Sequence, residues 1–121
     1  MQTVLFYEKI GGDYEDVKLR LQSDALIERF VLKFLADTSF ERLEKAVKES
    51  DFDEAFKAAH TLKGVCQNLS FEKLSVSSSE ITECLRHHAE TGVNKEECDR
   101  LFNEVKEDYE TVVNAINEFK D

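Results

Sequence analysis

Proline is absent from the chain, and glycine occurs only four times. Both residues interrupt helices, proline through its missing N–H and glycine through backbone entropy. Their scarcity, beside plentiful Leu, Glu, Lys and Ala, favours long helices. It also argues against an all-β chain, which would need many turns and the residues that make them. No apolar run approaches the ~18 residues of a membrane span, and the N-terminus shows no signal-peptide pattern. A cytoplasmic location is the expectation. Positive charge is short too, with 16 Lys and Arg against 26 Asp and Glu, a net charge of −10. Nucleic-acid binding needs a basic surface to displace counterions, so that class is set aside. Cysteine is limited to Cys66, Cys84 and Cys98, without C-x-x-C spacing. A disulfide framework or zinc site is therefore not expected, and the three read as small reduced core residues.

The 121 residues suffice for one domain with a single core. Leu5-Phe6-Tyr7 ahead of Gly11-Gly12, and then Tyr14 to Leu21, predict two short helical pieces broken at the glycines. Ser23 suits the N-cap of a helix from Asp24 to about Thr38. Its apolar positions Leu26, Ile27, Phe30, Val31, Phe34 and Leu35 recur at helical spacing and mark one buried face. Ser39 is expected to cap the next helix, with Phe40, Leu43 and Val47 as its stripe. Asp51 and Glu54 form a capping-box pattern opening a third helix, Phe52 to about Leu69. A fourth runs from about Phe71 to His88, with Leu74, Ile81 and Leu85 among its core positions. Asn94 and Glu97 form another capping box. It starts a last helix reaching about Phe119, with Leu101, Phe102, Val105, Tyr109, Val112, Val113 and Ile116 apolar. Short connections make neighbouring long helices antiparallel. The expected fold is all-α: an antiparallel up-and-down four-helix bundle over 23–121, with the short N-terminal helices of 1–22 packed on one end. Residues 1–121 read as a single domain.

The segment with chemical content is Ala59-His60-Thr61-Leu62-Lys63-Gly64-Val65-Cys66-Gln67-Asn68-Leu69. At helical spacing Phe52, Ala55, Phe56, Ala59, Leu62, Cys66 and Leu69 share one side, and His60 lies more than about 90° from its centre. His60 is thus expected to point to solvent. Gly64, at i+4, removes the side chain that would stack over the imidazole. An interior helix glycine costs roughly 1 kcal/mol against alanine, and open space around His60 is a reason to retain it. Lys63 at i+3 and Lys57 at i−3 bring positive charge suited to a phosphoryl dianion.

These residues resemble the histidine-containing phosphotransfer (HPt) family, whose signature is a helix carrying His-x-Leu-Lys-Gly, then small or polar residues and Leu-Gly. His60, Leu62, Lys63, Gly64 and Leu69 match it, and Ala59 and Asn68 suit it. Leu26 to Asp37 looks like the family's second helix, with Phe34 and a closing Asp37. Asp51 to Ala55 looks like the run-in to the phosphorylated helix, and Leu85-Arg86 like the close of the following one. The chain departs at Ser70, where the family usually has glycine. The resemblance implies a phosphorelay in which His60 accepts a phosphoryl group from a receiver-domain aspartate or a kinase and passes it to another receiver. Imidazole has the nucleophilic nitrogen for this near neutral pH. Lys63 would stabilise the phosphoryl group, Gly64 would clear its approach, and Lys57, Gln67 and Thr82 would border the partner surface. The implied partners are response-regulator receiver domains and a hybrid histidine kinase, with the protein a monomer that binds neither nucleic acid nor membrane. No cofactor is expected on this chain. Mg²⁺ would sit on the receiver, and no kinase activity of its own is expected.

Two other readings stand beside this one. The chain could be the N-terminal HPt-like phosphoacceptor domain of a larger histidine kinase; a dimerisation-type kinase acceptor is disfavoured, because such helices carry His-Glu-x-x-x-Pro and this chain has Thr61 and no proline. It could also be a scaffold that binds receivers without transfer. His87-His88 and Glu90 read as a solvated helix end, where a histidine suits the dipole, because adjacent residues face apart and make poor joint ligands. The hydroxyl of Thr82, on the helix after the His60 helix, is a candidate to orient the imidazole. The acidic runs Glu96-Glu97 and Glu107-Asp108 read as solvated faces.

Overall fold

A computed structural model describes residues 1–120; Asp121, the last position of the predicted domain, lies outside the described residues. Every regular element among the described residues is a helix: α1 (Thr3–Ile10), α2 (Tyr14–Leu21), α3 (Asp24–Lys33), α4 (Ser39–Lys48), α5 (Phe52–Leu69), α6 (Glu72–Leu85), α7 (His88–Thr91) and α8 (Lys95–Phe119), with a 3-10 turn at Phe34–Ala36. Four starts carry a side-chain cap. Asp13, Ser23, Asp51 and Asn94 accept from the backbone N–H groups of Asp16, Leu26, Glu54 and Glu97. Each cap satisfies a donor that the helix itself leaves free.

Three predicted boundaries move. The helix from Asp24 stops at Lys33 and tightens into the 3-10 turn, because Asp37 turns extended and its carboxylate accepts from the Ser39 N–H. Asp37 thus supplies the side-chain bond at the start of α4. Ser39, expected to be the cap, is a buried first residue of the helix. At the far end, α6 closes at Leu85 rather than His88. There Arg86 N–H bonds back to Glu83 and the His88 Nδ1 meets the Leu85 carbonyl at 3.0 Å. His88 is accordingly half-buried rather than solvated.

In the packing, α5 lies against α4 and α6, α8 closes on α6 and α4, and α1 covers part of α8. The N-terminal helices share the common core. Phe71 meets Phe6, Tyr7 and Phe34 at ring-centroid distances of 6.0, 5.9 and 5.3 Å. Phe40 stacks on Phe102 and Tyr109 at 5.6 and 4.0 Å. Such ring pairs stabilise by about 0.5–1.5 kcal/mol beyond area burial. Three positions predicted on the buried face of the helix from Asp24 are not in the core: Phe30 and Leu35 are each 38% exposed, and Leu26 is half-buried outside the core cluster. A helical stripe shows which residues share a face, and this face is wider than the part its neighbours cover.

The C-terminal end of α5 is held by the first two helices. Tyr7 Oη donates to the Leu69 carbonyl at 2.7 Å, and Arg20 donates to the carbonyls of Gln67 and Asn68 at 3.1 and 3.2 Å. These are acceptors that a helix end leaves unpaired. Ser70 then turns left-handed, with φ of 56°, a conformation costly for any residue with a Cβ. Its hydroxyl donates to Asp16 at 2.7 Å and accepts from Arg20, while its carbonyl accepts from Asp13 N–H at 2.9 Å. Those bonds offset the strain where glycine is usual, and the Ser70 and Arg20 bonds hold the Asp16 carboxyl below its ordinary pKa. The fit leaves no room at Gly12, where a Cβ would come within 2.7 Å of the Tyr7 ring and 2.9 Å of the Ser70 carbonyl. Gly12→Ala is expected to cost about 1–3 kcal/mol, the range for overpacking, measured as a lowered urea midpoint at unchanged slope.

Candidate functional site

Helix α5 carries its apolar stripe inward, with Ala55, Ala59, Leu62 and Cys66 fully buried. Burial pushes the Cys66 thiol far above its ordinary pKa, which makes it an inert core residue. His60 faces the other way and is exposed. Its ring lies 6.0 Å from that of Phe56, tilted by 48°. Among the described residues its ring nitrogens have no hydrogen-bond partner. An imidazole so placed has a lone pair free for attack on an incoming electrophile.

Gly64 lies one turn further along α5, and a Cβ built there meets nothing within 4 Å. No neighbour crowds this glycine into being small. The space it leaves is open to solvent, beside His60. Gln67 is exposed on the next turn.

The two lysines differ. Lys57 is paired with Asp53 at 3.0 Å, and Asp53 also faces His88 Nε2 at 3.7 Å. Its charge is locally balanced, contrary to the expectation of two available cations. Lys63 is half-buried and forms no ion pair among the described residues. Its field reaches Glu83, whose carboxyl is lowered chiefly by the Arg86 bond and further by Lys63. Lys63 is the available ammonium beside His60.

Thr82 requires a correction. It is fully buried, and its hydroxyl donates to the Ser78 carbonyl at 2.6 Å within α6. It therefore borders no partner surface, and its one proton is used within its own helix. Spacing assigns it to the right helix, but its side chain lies on the inner face and not at the surface as expected. What α6 does bring toward the site is Arg86. Its guanidinium lies 5.4 Å from the centre of the Phe56 ring, on which His60 also leans, and it forms two bonds to Glu83 at 2.9 and 2.8 Å. In sequence Arg86 looks like an ordinary i,i+3 partner of Glu83. Its place beside Phe56 arises only when α6 packs on α5.

Among the described residues, no three His, Cys, Asp or Glu side chains come together as a metal site, and no helix is long and apolar enough to cross a membrane. The model of the Hpt domain matches residues 31–115. The chain belongs to the Hpt domain family. No curated protein and no solved structure matches it. Hpt domains carry out histidine phosphotransfer in phosphorelay signalling and interact with receiver domains of two-component systems. In this Hpt domain the matched span contains all of α5, and α1, α2 and most of α3 precede it.

Proposed function

We propose that this Hpt domain is a phosphorelay carrier in which His60 takes a phosphoryl group from a receiver aspartate or a kinase and passes it to a second receiver. The observation that carries the reading is an exposed imidazole on α5, without a hydrogen-bond partner among the described residues, beside a glycine whose surroundings are open. In the step itself a ring nitrogen attacks the aspartyl phosphate. The N–P bond forms as the acyl O–P bond breaks, and the electron pair returns to the aspartate carboxylate. The reverse step regenerates His60. Mg²⁺ belongs to the receiver and neutralises charge there; positioning and charge stabilisation dominate such transfers. The bundle contributes the nucleophile, clearance at Gly64 and the ammonium of Lys63. Exposed Gln67 and Lys57 border the same face. The long helices are proposed to run up and down antiparallel, in a monomeric carrier working in the cytoplasm, where free thiols such as its three cysteines persist.

The test is incubation with phosphorylated receivers from the same genome, followed by peptide mapping of the label. Acid-labile, base-stable label on the peptide containing His60 supports the reading, and its absence from every pairing overturns it. Lys63→Ala is expected to slow transfer without abolishing it, by about 1–2 kcal/mol or roughly 5- to 30-fold, the scale of one charge-assisted hydrogen bond. Lys63→Arg should recover only part of that, because a planar fork places its donors differently from an ammonium. Single-turnover rates measure both.

A further inference from the structure

Glu83 is the last carboxylate of α6, three residues ahead of Arg86, which caps the helix. The Arg86 fork closes on it through Nε at 2.9 Å and Nη2 at 2.8 Å, so both carboxylate oxygens are engaged. The guanidinium rests 5.4 Å from the centre of the Phe56 ring, and the His60 ring lies 6.0 Å from that same ring. Lys63 adds to the positive field on Glu83. Lys57 is matched by Asp53. Lys63 and Arg86 are therefore the cations on the His60 side of α5, and one carboxylate draws on both.

The Arg86 and Glu83 side chains are 37% and 56% exposed. A pair this open does little for stability, since water screens it and two long side chains must be ordered to form it. Its position matters for chemistry instead. A phosphoryl group on His60 would bring about two negative charges and three acceptor oxygens. A guanidinium binds such oxygens and a carboxylate in the same way, as a planar fork. Beside unphosphorylated His60 the fork has one anion to bind. Beside phosphohistidine it would have two, and it cannot grip both.

Resting on the transfer reading above, we propose that Glu83 competes with the phosphoryl group for Arg86, and so keeps phosphorylated His60 from becoming too stable to pass its group on. While Glu83 holds the fork, Lys63 alone offsets the phosphoryl charge, and the equilibrium favours return of the group to a receiver. Without that carboxylate, rotation about the Arg86 side-chain bonds would carry the guanidinium to the phosphoryl oxygens. The carrier would then retain the group. Glu83 touches no reacting atom; it is a positioning residue that acts through Arg86.

The experiment labels the natural chain and Glu83→Gln with phosphoramidate, a small donor that needs no docking. Each is then mixed with a receiver that accepts from it, and the share of label on each protein is read once it is constant. Below the dissociation constant of the pair this partition is a property of the two free proteins, so altered docking cannot shift it. Glu83→Gln should move the ratio toward the carrier fivefold or more. Glu83→Asp, which keeps the charge, should stay within twofold of the natural chain. Adding Arg86→Gln to Glu83→Gln should return the ratio to within twofold of the natural value. Glu83 and Arg86 are exposed, so all variants should keep the helical circular dichroism of the natural chain. A ratio unmoved by Glu83→Gln, or a shift that survives loss of Arg86, overturns the proposal while leaving transfer through His60 standing. Failure of the natural chain to take label on His60 overturns both.

Discussion

Replacing His60 with glutamine is expected to reduce phosphoryl transfer to the detection limit while leaving the fold intact. The imidazole is exposed and has no hydrogen-bond partner among the described residues, so its removal breaks no polar network. Glutamine has a somewhat better helix propensity than histidine, so α5 should form at least as readily. What is lost is the nucleophilic nitrogen, which an amide cannot replace. Thermal unfolding should superimpose on that of the natural chain, and receivers should still bind. Acid-labile label persisting at natural levels on the His60→Gln protein would sink the assignment. Label mapped to His87 or His88 would move it to the α6–α7 junction.

Gly64→Leu should separate stability from function in opposite directions. Leucine is favoured over glycine in a helix by roughly 1 kcal/mol, which would raise the melting temperature by about 4 °C in a domain of this size. The first added atom meets no neighbour, since a Cβ at this position has nothing within 4 Å. The branched side chain would instead stand over the approach to His60. A displacement of about 1 Å from in-line geometry can cost about 100-fold in rate, and a loss of that order is expected here. Calorimetry and single-turnover transfer on the same preparation measure the two effects. Transfer within twofold of the natural rate in a stabilised protein would show that the glycine serves some end other than clearance.

Local rules carried much of the fold. The caps at Ser23, Asp51 and Asn94 were legible because each bond spans three residues, and the bounds of α5 follow from its cap and apolar stripe. His60, Lys63 and Gly64 were legible for the same reason, sharing one helix at i, i+3 and i+4. Contacts between distant segments were not legible. The bonds from Tyr7 and Arg20 to the end of α5 join residues 47 to 62 positions apart. The comparably distant bonds of Ser70 with Asp16, Arg20 and Asp13 offset the cost of its left-handed turn where glycine is usual, which spacing left open. Periodicity likewise grouped Phe30 and Leu35 with buried residues, because it reports a shared face and not what covers it. Thr82 failed in the converse way, a polar residue on the inner face whose hydroxyl is satisfied by its own helix.

That the imidazole has no hydrogen-bond partner among the described residues bears on which isomer of phosphohistidine the proposed transfer would form. In many sites a carboxylate or carbonyl bonds one ring nitrogen and thereby fixes the tautomer, leaving the other as nucleophile. Among the described residues nothing does so at His60, whose ring leans only on Phe56. Neither Nδ1 nor Nε2 is engaged by a hydrogen bond among the described residues, so in the proposed transfer no internal bond selects the attacking nitrogen. In the proposed transfer, regiochemistry would then be set in the docked complex, by which nitrogen the receiver's phosphorus meets in line. A small donor and a receiver need not produce the same isomer from this chain, and ³¹P spectra of the two products would distinguish them.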